Sequence, residues 1–150
     1  MQRWSALIFF MTVGIFIGSG AYTFHYAKGT SYLSNDPKAC VNCHVMQEHY
    51  NSWVKSSHHV AASCNDCHIP HTFPWKYMAK MRNGWNHSKA FTLQNFPDPI
   101  HITKKNLKDL QQNCLHCHQT LVSEIAGHDG AGAQRCTECH RSVGHMSLSS

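Results

Sequence analysis

From Trp4 to Phe24 the chain carries no charged side chain and no proline, only apolar, small and hydroxyl residues. At 1.5 Å per helical residue this run reaches roughly 31 Å, the thickness of the hydrocarbon layer of a bilayer. The pattern predicts one membrane-spanning helix within an anchor over residues 1–27. Arg3 precedes the run and Lys28 follows it, so the start is expected in the cytoplasm and the bulk on the far side. Gly18-Ser19-Gly20-Ala21 offers small residues to a leader peptidase, but the apolar run exceeds the usual leader and is read as an uncleaved anchor. Gly14 and Gly18 also fit a helix-packing pattern, a slight pointer to a homo-oligomer.

A second patterned stretch lies far downstream. Between Pro74 and Pro97, the positions from Trp75 to Phe91 read as a helix without proline. Lys76, Lys80, Asn83 and His87 recur on one face, and Met78, Met81 and Trp85 occupy another. The polar stripe reads as a solvated face; the tryptophan and methionine stripe also suits a helix lying at a membrane surface. Elsewhere in 28–150 the pattern promises only short helices and long connections.

The cysteines change this picture. All eight fall in four Cys-x-x-Cys-His motifs: Cys40 and Cys43 with His44, Cys64 and Cys67 with His68, Cys114 and Cys117 with His118, and Cys136 and Cys139 with His140. Thiols at this spacing add to the two vinyl groups of one haem, and the adjacent imidazole reaches the iron as an axial ligand. A zinc ribbon needs the paired cysteines but not a histidine after each pair. Four motifs therefore imply four covalently bound c-type haems. They form two close pairs, 40–68 and 114–140, around an insert at 69–112 that contains the patterned helix.

Only about 125 residues remain outside the anchor, too few to enclose four porphyrins around a conventional side-chain core. The expected fold is all-α with little regular structure, a compact multihaem cytochrome domain over 28–150 whose core is the haems. The net charge of +5 counts protein alone. Haem propionates would add up to about eight negative charges, so the basic balance does not indicate a nucleic-acid partner.

Four low-spin haems need eight axial ligands, and the motif histidines supply at most four. Ten of the 14 histidines lie outside the motif ligand positions. His145 is too near His140 to return to the same haem but can reach a neighbour. His58 and His59 sit between the first two motifs and are both candidates. Met46 places a thioether sulfur near the first iron, and His116, between two thioether cysteines, is expected to face solvent.

An apolar anchor followed by four such motifs, the first extended as Cys43-His44-Val45-Met46, resembles the NapC/NirT family of membrane-bound tetrahaem quinol dehydrogenases. The stretch from Ser56-Ser57-His58 to His68-Ile69-Pro70-His71 is most similar to members that serve as the small subunit of a cytochrome c nitrite reductase. The resemblance implies Met46 rather than His44 as the first ligand, with His68, His118 and His140 as proximal ligands of the other haems. It implies His58 as distal ligand of the third haem and His145 of the second, the fourth being completed beside the partner.

The resemblance also implies a menaquinol pocket near the first haem, formed by a lysine and an acidic group. The matching positions are Lys80 and His87, with Lys76 a lesser candidate. His87 departs from the family's acidic residue, leaving open whether it closes the iron or accepts a quinol proton. The implied setting is the bacterial inner membrane, with the haem domain in the periplasm beside a multihaem nitrite reductase catalytic subunit. The competing readings are a donor to another periplasmic reductase, such as nitrate reductase, and an electron-transfer module without a quinol site.

Overall fold

The computed structural model describes residues 2–124 and 134–146, so the outer ends of the expected domains lie outside the described residues. Every regular element among them is helical: α1 (Gln2–Tyr26), α2 (Gln47–Val54), α3 (Cys64–His68), α4 (Trp75–Leu93), α5 (Lys104–Val122) and α6 (Cys136–Cys139), with short 3-10 turns between α1 and α2. They fall into two compact units, Met1–Ser34 and Asn35–Ser150.

In the first unit, α1 is 25 residues long, and its apolar part, Arg3–Tyr26, has a mean hydropathy of 1.8 with none of it buried. Three of its hydroxyl groups turn back onto the helix and so do not break the apolar surface. Thr12 Oγ1 donates to the carbonyls of Ile8 and Phe9, Ser19 to Phe16, and Thr23 to Ser19. A polar group satisfied in this way can enter lipid. The helix closes at Lys28, whose φ of 51° is left-handed, and a 3-10 turn over Gly29–Leu33 follows.

The second unit has almost no side-chain core. Among the described residues the buried apolar side chains are Ile69 and Ala79 alone. What joins its elements is a set of buried or half-buried polar contacts. Asn113 of α5 donates to the carbonyl oxygens of Cys67 at 2.8 Å and Ile69 at 2.9 Å, tying α5 to α3. The Gln111 amide oxygen accepts from the Cys136 backbone at 2.9 Å, tying α5 to α6. Arg82 of α4 pairs with Asp109 of α5 at 3.3 Å, and Asn83 accepts from Asn106 at 3.2 Å.

One helix, α5, exceeds the short ones expected, and α4 has nearly its expected length. α4 and α5 each run 19 residues. α4 begins at Trp75, as its pattern predicts, and ends at Gln94 in the left-handed region. α5 starts at an N-cap, Thr103, whose hydroxyl accepts from the Asn106 backbone, and it continues without a break through the third motif.

The polar stripe of α4 is not the solvated face expected of it, whereas the apolar stripe lies outward, as its membrane-surface reading requires. Lys80 and Ala79 are buried, and Lys76, Arg82 and Asn83 are half-buried, whereas Met78, Met81 and Trp85 are exposed. The polar stripe faces the protein, and the apolar stripe faces out.

Candidate functional site

Helical geometry explains how each motif presents its thiols, because residues three apart share a face. The second, third and fourth motifs lie on α3, α5 and α6, and the first on a 3-10 turn over Pro37–Asn42. α3 is held by a capping box in which Asp66 Oδ2 accepts from the Ser63 backbone at 2.9 Å and from its hydroxyl at 2.7 Å. None of the eight cysteines is paired in a disulfide. The motifs are neighbours in chain order: Cys40 lies near Cys64, Cys67 near Cys117 and Cys114, and Cys114 near Cys136.

The imidazoles separate into two kinds of contact. His49 against His145, His71 against His116, and His59 against Trp53 have ring centres only 4.7–4.9 Å apart, the spacing of packed rings. By contrast, His68 and His145 are 6.0 Å apart with planes at 12°, and His58 and His118 are 6.0 Å apart with planes at 64°. Two imidazoles bonded at about 2 Å to opposite sides of one metal, with about 1.2 Å from nitrogen to ring centre, sit about 6.3 Å apart. The two wider pairs have the spacing of axial ligands, and each joins a motif histidine to a distant one.

Hydrogen bonding points the same way. His58 Nδ1 lies 3.2 Å from the Val143 carbonyl oxygen, and His145 Nδ1 lies 3.3 Å from that of Met146. A ring that donates its Nδ1–H to a carbonyl leaves Nε2 with a free lone pair, the usual arrangement of a metal-binding histidine. Burial, with His145 and His49 nearby, pushes the His68 pKa down to about 4, so its ring is neutral and able to ligate. His140, after α6, is exposed and meets no second imidazole among the described residues. Met46 is half-buried at the end of the turn carrying His44, its backbone N–H bonded to the Cys43 carbonyl at 2.9 Å.

Lys80 is 4% exposed and donates to Asn35 Oδ1 at 3.1 Å. Asn35 also accepts from Asn65 at 3.3 Å, so α4 and the second motif meet at this side chain. Cys40 of the first motif is close enough to interact electrostatically with Lys80. Burial and the nearby Lys76 hold the Lys80 ammonium below the usual lysine range. Lys76 is half-buried one turn before it; His87, about two turns on, is exposed.

The NapC/NirT cytochrome c family model, for the family's N-terminal region, matches residues 1–150. The chain belongs to this family. It is 40% identical to the cytochrome c-type protein NrfH of Wolinella succinogenes, over 94% of this chain and 84% of that one. It is 33% identical to the cytochrome c nitrite reductase subunit NrfH of Nitratidesulfovibrio vulgaris, over 81% and 74% of the two chains. The NapC protein of Escherichia coli is 28% identical over 75% and 69%. A crystal structure of the cytochrome c nitrite reductase NrfHA complex bound to the inhibitor HQNO superposes with a TM-score of 0.67 at 27% identity, covering 97% of this chain and 93% of that chain.

A NapC/NirT cytochrome carries haem c bound to its thiols, and the residues present suit that group. Each motif brings two thiols and an imidazole together on or directly beside helical turns, two histidine pairs have a metal-sized separation, and the side-chain core among the described residues is minimal. The buried ring nitrogens of His49 and the Ser56 hydroxyl, which have no hydrogen-bond partner among the described residues, border the same region. Sequence reasoning did not single out Asn35, His49, Gln111 or Asn113. An asparagine or glutamine outside a motif carries no spacing signal, and His49 was one histidine among many.

Proposed function

We propose that this chain is the quinol-oxidising subunit of a nitrite reductase complex. Anchored by α1 in the inner membrane with its haem domain in the periplasm, it takes two electrons from menaquinol. It passes them to a multihaem catalytic subunit that reduces nitrite to ammonium. The observation that carries this reading is the placement of α4, which buries Lys80 beside the first motif and turns Met78, Met81 and Trp85 outward. An apolar outer face next to a buried cation suits a lipid-soluble substrate whose reacting oxygen becomes anionic.

Four haem c groups, when bound, supply reversible one-electron chemistry. The chain's own residues fix where the irons sit and what happens to the quinol protons. Met46 would hold the first iron in place of His44, His68 and His145 the second, His118 and His58 the third, and His140 the fourth, which the partner subunit would help complete. The two 6.0 Å histidine separations support the middle two assignments. Lys80 hydrogen-bonds a quinol oxygen and stabilises the charge left when its proton departs. Lys76 adds positive potential, and His87, exposed on the same helix, takes the proton toward water.

The test is stopped-flow spectroscopy of the detergent-solubilised, oxidised protein mixed anaerobically with a menaquinol analogue. Lys80→Met is expected to slow haem reduction by the quinol at least tenfold, with dithionite reduction unchanged. Equal loss of both would remove Lys80 from the pocket, and no quinol reduction of the unaltered protein would favour an electron-transfer module. The similarity to NapC supports a second reading, a donor to another periplasmic reductase. Co-purification of a large multihaem cytochrome with this chain decides for the nitrite reductase partner.

A further inference from the structure

The segment Val143–Met146 is gripped by the stretch that starts at α2. The Ser57 hydroxyl and His58 Nδ1 both meet the Val143 carbonyl oxygen, at 3.4 and 3.2 Å. One turn apart on α2, Ser52 and His49 hold the other end. Ser52 Oγ accepts from the Met146 backbone at 2.7 Å, and the His49 ring meets the His145 ring at 4.9 Å with planes at 70°. Both His49 nitrogens are buried without a hydrogen-bond partner among the described residues. Among the described residues, what positions the ring is its packing against His145.

An axial imidazole can still rotate about its bond to the metal, and only its neighbours stop it. His145 stands within 12° of the His68 plane, whereas the other wide pair, His58 and His118, is crossed at 64°. The His49 ring, standing at 70° to His145 with centres 4.9 Å apart, opposes that rotation by packing against it. We propose that His49 is a positioning residue that locks the His145 ring parallel to His68, giving one haem near-parallel axial planes while its neighbour's are crossed. This rests on the assignment of His145 as an axial ligand. Near-parallel imidazoles separate the iron d orbitals more than crossed ones do, so the two ferric haems differ in magnetic anisotropy. The protein uses ligand orientation, besides ligand identity, to make two bis-histidine haems unlike.

The experiment is electron paramagnetic resonance of the oxidised four-haem protein and its variants, with haem content measured alongside. The unaltered protein is expected to show one rhombic low-spin component from the near-parallel pair and a low-field, highly anisotropic line from the crossed pair. His49→Phe keeps the ring and should keep the rhombic component. His49→Leu and His49→Ala remove the ring edge and should move that component toward low field while the other lines stay. An unmoved spectrum in the leucine variant at full haem content overturns the proposal, as does a phenylalanine variant that shifts as far as leucine. If alanine impairs haem loading, the phenylalanine and leucine pair decides. His145→Ala tests the underlying assignment separately: persistence of the rhombic component there refutes ligation by His145, whatever the His49 variants show.

Discussion

Lys80 and Asn113 are the polar side chains buried among the described residues, and each stands beside a cysteine motif. Asn113 satisfies two carbonyl groups of α3 with one amide, so Asn113→Leu leaves both unpaired. Thermal unfolding of the haem-loaded variant is expected to show a loss of roughly 2–4 kcal/mol. Lys80 carries a testable pH dependence. Its pKa is lowered on folding, so the unfolded chain binds the extra proton between the folded value and the free-lysine value near about 10.4. Over that interval the unaltered protein gains stability relative to Lys80→Met as pH rises, which melting temperatures at stepped pH would show. The choice between His58 and His59 was not legible in their adjacency, because both carry the same donor atoms. Geometry separates them: His59 packs on Trp53, whose indole donates to the Ala62 carbonyl at 3.0 Å, while His58 faces His118. His58→Ala should therefore convert one haem to high spin, visible in the near-infrared, and His59→Ala should not.

At the scale of elements, α4 shows both the reach and the limit of pattern. Its proline boundaries and 3.6-residue stripes located it to within two residues, Trp75–Phe91 against Trp75–Leu93. Periodicity divides a helix into stripes, but it does not say which stripe faces inward. That choice assumes an oily interior and a watery exterior, and neither holds here. Lys80, Asn83 and Arg82 turn inward to Asn35, Asn106 and Asp109, and Trp85 remains 71% exposed. Met81→Asp on the outer face is expected to raise the KM for a long-chain menaquinol about tenfold, with haem spectrum and dithionite reduction unchanged, in steady-state assays in detergent or vesicles. α5 was hidden for another reason. Its first half lies in the insert and its second half carries the third motif, so reading by motif cut one helix in two.

For the whole molecule, the cysteine motifs were legible because covalent chemistry demands a fixed spacing, and α1 because a bilayer demands a fixed length. The path between motifs was not legible, since it depends on single polar contacts such as Gln111 with Cys136. A side-chain core of Ile69 and Ala79 offers only a few kcal/mol, against a backbone ordering cost of about 1–2 kcal/mol per residue. The chain made without haem attachment is accordingly expected to lack stable helix beyond α1, measured by circular dichroism and rapid proteolysis. The grip of the 49–58 stretch on Val143–Met146 also sets a timetable for biosynthesis. On the proposed ligation, His68 leaves the ribosome long before His145, and His58 long before His118, so neither site would close while the first half of the chain alone has been exported. An interrupted chain would expose haems with one coordination position open to any passing ligand or oxidant. On that reading, the arrival of His118 and then of His145 is the step that would make the earlier haems safe.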